Sequence, residues 1–433
     1  MIFEKEYECM PLKKLKELQF ERLKKLLAYL NKNVPFYNKK FADMKINPDS
    51  PKSLKDIRNL PFTKKIDLRD NYPFGLFAVP LSKVYEIHVS SGTTGNPTVV
   101  GYTKKDVKLW SRVMARALAC AGVNENDIVH NAYGYGLFTG GLGIHYGAIE
   151  LGVTVLPMSS GGTKRQLKLM QDFKTTVITC TPSYTLYMAE EAKEMGIDPS
   201  KANWRIGVLG AEPWTHSMRK EIESVWNMTA LDIYGLSEII GPGVAQECEA
   251  KNGLHIFADE FYPEVIDPDT GEPVDEGVDG ELTLTTLTKE AIPLLRYRSG
   301  DIVSINYEPC KVCGRTLPRI SKIKGRTDDM LIIRGINVFP SQIESVLLQI
   351  EETEPHYLIV VDRVASLDQL EIQVEVNEKV FSDEIKKLEE LEKKIKKEIE
   401  SVLGIQVSVR LVEPKTIERS QGKAKRVIDK RKF

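Results

Sequence analysis

The 433-residue sequence carries almost no net charge, −1 at neutral pH, with 60 basic and 61 acidic side chains mixed along its length. No basic stripe is present, which argues against a nucleic-acid partner, whose recognition rests on neutralising phosphates. A long apolar run is also missing. The longest uncharged stretch, 128–149, is broken by glycines, an asparagine and histidines. It is too polar for a bilayer helix and reads as buried strand and pocket wall. The opening residues, Met1-Ile2-Phe3-Glu4-Lys5-Glu6, hold no apolar signal segment. Six cysteines in a chain of this length are too few for a secreted disulfide framework. Together these absences lead to the expectation of a cytoplasmic protein with no membrane partner. What is present, 42% apolar and 28% charged residues, describes a globular chain. The length calls for two or three domains.

Leu12, Leu15, Leu18, Leu23, Leu26, Leu27 and Leu30 recur at helical spacing and predict an amphipathic helix of about six turns. It should end before Val34-Pro35, because proline disfavours helix in the preceding residue. A second such helix is expected over 104–120. Apolar runs near 127–130, 154–157, 176–182, 206–213 and 229–235 alternate with helical stretches at 164–173, 184–195 and 217–226. That alternation predicts a parallel sheet with helices on its faces. Ligands of such sheets bind beyond the carboxyl ends of the strands, where Thr181, Glu212 and Tyr234 fall. From about residue 260, short strands separated by Asp/Gly/Pro turns predict antiparallel structure. Beyond 328 a smaller unit follows, with strands near 357–361, 370–376 and 406–411 and a Lys/Glu helix over 382–403.

Two glycine-rich segments could carry chemistry. Ser90-Ser91-Gly92-Thr93-Thr94-Gly95-Asn96-Pro97-Thr98 follows a strand-like run, Val84–Val89. Its hydroxyls and backbone N–H groups suit an anion, although the same composition marks ordinary surface turns. No lysine follows Gly95, so it is not a Walker loop. Ala132–Gly143 misses the spacing of a dinucleotide fingerprint. Its aromatics, Tyr135 and Phe138 among them, suit a pocket for a flat apolar group, or a tightly packed strand–helix crossover.

Cys310-Lys311-Val312-Cys313-Gly314 has the spacing of a zinc knuckle, with free thiols as the alternative. Cys248 and His255 can complete a Cys3His tetrahedron. A site with all four positions filled would be structural. Cys9, Cys120 and Cys180 lack this spacing and read as small apolar residues.

These motifs resemble, in order, those of the adenylate-forming superfamily of acyl-CoA synthetases. Ser90–Thr98 is similar to the superfamily's phosphate loop, although Thr98 stands where many members have lysine. Tyr234-Gly235-Leu236-Ser237-Glu238 is similar to its Tyr-Gly-x-Ser/Thr-Glu motif. Arg298-Ser299-Gly300-Asp301, Gly325-Arg326-Thr327-Asp328 and Gln421-Gly422-Lys423-Ala424-Lys425-Arg426 resemble its Gly-Asp motif, hinge and C-terminal Gly-Lys segment. Within the superfamily, Asn33-Val34-Pro35-Phe36-Tyr37, the Val-Val-Gly-Tyr-Thr after Thr98 and Gly422–Val427 look like the phenylacetate–CoA ligase family.

The resemblance implies an α/β fold. A large N-terminal domain, 1–326, would have parallel sheets flanked by helices plus a β-rich subdomain. A small hinged α+β domain, 327–433, would carry the catalytic lysine. The implied reaction joins an aryl-acetic acid to coenzyme A through an acyl-adenylate. Lys423 would bridge the carboxylate and α-phosphate, with Lys425 and Lys430 as rival candidates. Glu238 would hold Mg²⁺. Ser90, Ser91, Gly92, Thr93, Thr94 and Gly95 would hold phosphates, Thr94 counting also as catalytic. Ala211, Glu212, Pro213, Asp232, Ile233, Tyr234, Gly235 and Ser237 would line the nucleotide, with Asp301 and Arg326 on the ribose. Tyr135, Phe138, Gly210 and Ala211 would face the acid. Arg334 and Gly335 would line the thiol path, and Asp328 would be the hinge. Absent this context, each acidic residue would read as a solvated surface carboxylate. The expected partners are the acid, ATP and coenzyme A, with a homodimer left open. Two other readings stand beside this one: an adenylate-former with another acid or acceptor, such as indoleacetate, a carrier-protein thiol or a deazaflavin, and a non-catalytic scaffold on the same fold.

Overall fold

The leucine periodicity folds as expected into the Leu12–Asn33 helix, with Leu15, Leu23, Leu26, Leu27 and Leu30 buried. It ends at Val34, which is extended, and Pro35 starts the next helix, Pro35–Asp43. The structure, a computed structural model, describes residues 1–90, 96–327, 331–334, 336–364, 367–377, 380, 385–419 and 426–431. The chain divides into two compact units: 1–180 with 203–211 and 229–323, and 181–202 with 212–228 and 324–433.

In the first unit, β1 (Val84–Val89) and β2 (Val99–Thr103) form an antiparallel hairpin around the Ser/Thr/Gly loop. Five parallel strands follow: β3 (Ile128–Asn131), β4 (Thr154–Pro157), β5 (Val177–Cys180), β6 (Ile206–Gly210) and β7 (Thr229–Leu236). β8 (Gly241–Glu247) adds antiparallel to β7, and β9 (Leu254–Ile256) antiparallel to β8. β10 (Phe261–Ile266), β11 (Gly280–Thr286) and β12 (Tyr297–Val303) make a separate antiparallel sheet. β13 (Ile305–Asn306) and β14 (Arg319–Ile320) then return to the main sheet, whose order is β13-β14-β9-β8-β7-β6-β5-β3-β4.

The sheet is therefore mixed, where the sequence pattern predicted parallel strands alone. The β8 run, Gly-Pro-Gly-Val-Ala-Gln-Glu, hides a strand because glycine and proline are depleted there. Nor is β4 buried as its apolar run suggested. It is the edge strand, with Thr154 and Pro157 exposed, and proline is tolerated at an edge because it offers no N–H.

The stretch 128–149 also differs from the strand-and-wall reading. Only Ile128–Asn131 is strand, while Thr139–Leu151 is a helix. Its glycines serve close packing against the Lys104–Cys120 helix. A methyl on Gly143 would come within 2.6 Å of Trp110, and one on Gly147 within 2.4 Å of Met114. Glycine is poor for helix propensity but lets two helix backbones approach.

The second unit has β15 (Gly325–Arg326), the hairpin of β16 (Leu331–Ile333) and β17 (Ile336–Val338), and a four-stranded sheet. That sheet contains β18 (Thr353–Val364), β19 (Leu367–Val376), β20 (Ser408–Val412) and β21 (Val427–Asp429), in the order β20-β19-β18-β21. Its core is Ile343, Leu347, Ile359, Ile372, Ile395 and Ile399, drawn from two helices and the sheet. The Pro182–Glu194 and His216–Trp226 helices belong to this unit. Glu190 accepts from His356 at 2.5 Å and from Arg419 at 3.2 Å, and Glu194 pairs with Lys415.

Candidate active site and zinc centre

The β1–β2 hairpin presents the Ser/Thr/Gly loop. Its mouth is closed by Ser90 N–H donating to the Thr98 carbonyl, 2.9 Å, and Thr98 N–H to Ser90 Oγ, 3.2 Å. Residues 91–95, and so Ser91, Gly92, Thr93, Thr94 and Gly95, lie outside the described residues. The hairpin is tied to the aromatic segment: Val89 N–H donates to the Leu137 carbonyl, 3.2 Å, which His88 Nδ1 also meets at 3.1 Å.

In that segment, Asn131 is the hub. Its Nδ2 donates to Tyr135 Oη at 2.7 Å and to the Gly141 carbonyl at 2.8 Å, and its Oδ1 accepts from Thr179 Oγ1 at 2.9 Å. Tyr135 Oη also lies 3.2 Å from His145 Nδ1. Burial pushes the Tyr135 phenol up to about 12 and the His145 imidazole down. The polar edge of this wall is thus neutral near pH 7. Phe138 is exposed at 44% and precedes the Thr139–Leu151 helix.

At the ends of β6 and β7 the backbone is tight. Ala211 has φ +69°, a left-handed conformation that is strained for a residue with a side chain. A methyl on Gly210 would come within 2.2 Å of the Ile233 carbonyl, so its smallness serves the approach of β7. Tyr234 Oη donates to Asp301 Oδ2 at 2.5 Å, and Asp301 N–H donates to Ser299 Oγ at 3.0 Å. Glu281 orders the same turn, accepting from Gly300 N–H at 3.1 Å and pairing with Arg298. Asp232 is buried, and its N–H donates to Glu247. Ser237 Oγ lies 3.2 Å from Thr139 Oγ1. Glu238 is nearly buried, and among the described residues its carboxylate has no hydrogen-bond partner. Its oxygens suit a hard cation such as Mg²⁺. Lys289 lies beneath, fully buried, its ammonium pushed down to about 8 by burial against the opposing pull of Asp106 and Glu238.

The remaining expected site residues belong to the second unit. Glu212 accepts from Ser183 N–H at 2.7 Å, at the start of the Pro182–Glu194 helix that Thr181 caps. Pro213 follows it, and Arg326 lies on β15. Arg334 turns the β16–β17 hairpin with φ +51°, its Nε donating to the Asp368 carbonyl at 2.8 Å. Asp328, Gly335 and Lys423 fall outside the described residues. The segment 420–425 is bracketed by two anchored arginines. Arg419 makes a bidentate pair with Glu375, both bonds 2.8 Å. Arg426 lies 4.4 Å over the Tyr357 ring and 3.9 Å from Glu344.

The four zinc-site residues do converge. One ligand atom from each of Cys248, His255, Cys310 and Cys313 lies within 4.8 Å of the others. Cys248 Sγ is 3.9 Å from Cys310 Sγ, and His255 Nε2 is 3.4 Å from both Cys248 Sγ and Cys313 Sγ. Bond lengths of zinc to sulfur and nitrogen give tetrahedral edges of about 3.8 Å between sulfurs and about 3.5 Å from sulfur to nitrogen. The residues therefore fit a zinc ion. Cys313 is drawn down and Cys248 pushed up, first through their mutual hydrogen bond, as two thiols sharing one proton behave. The knuckle is locked by Cys310 N–H donating to the Arg315 carbonyl, 2.8 Å, and Gly314 N–H to the Cys310 carbonyl, 2.9 Å. Arg315 reaches buried Glu8 at 2.5 Å, fixing the N-terminal segment to it.

Asn131, Thr139, His145 and Lys289 were missed in the sequence. Asn131, a polar residue closing a β-branched run just before the aromatics, could have been singled out. Nothing local marks Lys289 among sixty basic residues.

Residues 56–287 match the AMP-binding enzyme family, and residues 335–431 match the AMP-binding enzyme C-terminal domain. The chain is 52% identical to the phenylacetate-coenzyme A ligase of Thermus thermophilus, covering 100% of both chains. It is 49% identical to that of Escherichia coli over 96% of this chain and 95% of the other. Among solved structures, a 2-hydroxyisobutyryl-CoA ligase in the postadenylation state, bound to an adenylate, is 29% identical. It superposes with a TM-score of 0.93 over 98% of this chain and 92% of that one. The chain belongs to the phenylacetate-coenzyme A ligases, within the adenylate-forming superfamily.

Proposed function

We propose that the protein ligates an aryl-acetic acid, phenylacetate or a close analogue, to coenzyme A through an acyl-adenylate, releasing pyrophosphate and then AMP. The observation that carries this reading is the end-to-end identity with phenylacetate-coenzyme A ligases, at 52% and 49%.

Two anions, the carboxylate and the α-phosphate, must meet, so the site must bring positive charge and donors to them. Lys423 is that cation. Ser90, Ser91, Thr93 and Thr94 donate to the outgoing phosphates, and Asp301, aligned by Tyr234 and Ser299, accepts the ribose hydroxyls. Arg326 donates to the ribose or α-phosphate. Glu238 is the protein ligand for Mg²⁺, which when bound neutralises phosphate charge. The wall of Tyr135 and Phe138 holds the aryl ring. Its neutral polar edge, ordered by Asn131, avoids burying a charge against that ring.

The lysine must engage for adenylation and clear the site for the thiol. We therefore assign the segment beyond Asp328 a change of orientation between half-reactions, with Arg334 and Gly335 lining the thiol's path. Cys248, His255, Cys310 and Cys313 hold a structural zinc. No helix among the described residues is long and apolar enough to cross a membrane. We place the enzyme in the cytoplasm.

The test is pyrophosphate release from ATP with Mg²⁺ and a panel of acids, with coenzyme A present or withheld. Aryl-acetic acids should give the fastest release, and a thioester should form only when coenzyme A is added. Absence of release with every acid would overturn the ligase reading.

A further inference from the structure

The turn Ser237–Ile240, between β7 and β8, is held from beneath by side chains far away in sequence. Tyr102 Oη donates to the Ile240 carbonyl at 3.1 Å. Trp110 stacks on Tyr102, centroids 4.9 Å apart, and its Nε1 donates to the Pro242 carbonyl at 3.0 Å. Lys289 Nζ donates to the Glu238 carbonyl at 3.2 Å and sits 4.9 Å over the Tyr102 ring. Lys289 is 2% exposed. Among the described residues, that carbonyl is its one hydrogen-bond acceptor.

The lysine is itself held in place. Asp106, buried in the first turn of the Lys104–Cys120 helix, accepts from Glu290 N–H at 2.7 Å and Ala291 N–H at 2.8 Å. The same carboxylate accepts from Thr103 N–H at 2.9 Å. This fixes the backbone beside Lys289, so its side chain enters the core from a rigid base. A buried lysine with one carbonyl partner is expensive, and an apolar side chain of similar length would cost the fold less. Such a violation of local rules points to function.

We propose that Lys289 is a positioning residue for metal binding, its ammonium fixing the Ser237–Ile240 turn so that the Glu238 carboxylate is aimed for Mg²⁺. The inference rests on Glu238 being the Mg²⁺ ligand. Lys289 acts through the backbone of Glu238 and its positive charge, without touching substrate. Groups that orient a metal ligand in this way tune metal affinity.

The experiment is pyrophosphate release by the full-length chain at saturating ATP and acid, over a titration of free Mg²⁺. The variants are Lys289→Met, Lys289→Arg and Glu238→Gln, each with its melting temperature. Lys289→Met should raise the half-saturating Mg²⁺ by about tenfold or more. Turnover at saturating Mg²⁺ should be nearly retained and the melting temperature unchanged or higher. Lys289→Arg, which keeps the cation, should recover part of the shift. An unchanged Mg²⁺ curve overturns the proposal. So does a loss of turnover at every Mg²⁺ concentration together with a fallen melting temperature. If Lys289→Met does not fold, Lys289→Gln is read the same way. A static Glu238→Gln curve would instead remove the metal assignment beneath the inference. A shifted Glu238→Gln curve beside a static Lys289→Met curve removes only the role of Lys289.

Discussion

The two halves of the nine-stranded sheet organise polar groups in opposite ways. On the antiparallel half, β8 and β9 bring Cys248 and His255 to Cys310 and Cys313 until all four donor atoms lie within 4.8 Å. Backbone hydrogen bonds and a buried Arg315–Glu8 pair brace that arrangement. On the parallel half, Tyr234, Ser237, Glu238 and Ala211 stand at strand ends. Tyr234 Oη donates to Asp301, Ser237 Oγ lies against Thr139 Oγ1, and the Glu238 carbonyl accepts from Lys289. The first arrangement suits a single small ion, whose binding free energy adds to that of folding. The second suits a large substrate that bridges separated groups, with donors aimed where charge develops. If this contrast is real, damage to the parallel half should cost turnover, and damage to the antiparallel half should cost stability.

The largest effect should come from Lys423. Lys423→Ala is expected to lower pyrophosphate release by about a hundredfold or more, as for loss of a preorganised charge at a transition state. It should leave thioester formation from a synthetic acyl-adenylate nearly intact. Asp328→Pro should do the reverse, because proline fixes φ at a position that must turn. Equal losses in both half-reactions with either variant would break the two-state account.

Next comes the zinc centre. Protein purified without chelator should contain one zinc per chain, and Cys310→Ser should lose it. The expected cost is on the order of several kcal/mol, read as a fallen melting temperature. Any folded remainder should keep its KM for ATP. A Cys310→Ser protein with unchanged melting would deny the antiparallel half its structural role.

A smaller cost, roughly 1–3 kcal/mol for overpacking, should follow from Gly147→Ala in the helix behind the aromatic wall. The new methyl would meet Met114 Cβ at 2.4 Å and backbone at 2.8 Å, neither of which can yield as a flexible tip would. Denaturant unfolding at constant m would measure it. A neutral result would mean that the two helices are not closely packed there.

Much of this was legible in the sequence for reasons that differ by region. The Leu12–Asn33 helix and the β5, β6 and β7 strands follow from periodicity and β-branched runs, which are local. The zinc tetrad was legible because Cys310 and Cys313 bracket a tight turn, leaving only the distant pair to find. The Thr139–Leu151 helix was not legible. Its glycines are chosen by contact with Trp110 and Met114, and tertiary packing overrides propensity. Lys289 escaped for the same reason. Its partners are a carbonyl 51 residues away and a ring on β2, and no local spacing records either.

The smallest expected effect lies in the second unit and concerns acidity. Glu221, on the His216–Trp226 helix, has its carboxyl pushed up to about 7, first by burial and then by Glu354 and Glu190. Glu344 adds to the push and Lys193 opposes it. The unfolded value is near 4.5, so between about 4.5 and 7 the folded chain keeps a proton that the unfolded chain has released. By linkage, Glu221 stabilises the fold fully below the lower value, and that contribution is lost as pH rises through the upper one. Above it, a carboxylate stands beside two others. Glu221→Gln removes the titration and should raise stability at pH 8 relative to the wild type, by about 1 kcal/mol once partial solvent contact is allowed for. Near pH 5 the gain should vanish. Denaturant midpoints at the two pH values measure the difference. A gain of equal size at both would mean that burial and the neighbouring charges together do not raise the Glu221 carboxyl. The electrostatic stress would then lie at buried Lys289, beneath the Ser237–Ile240 turn, and not in this acidic cluster.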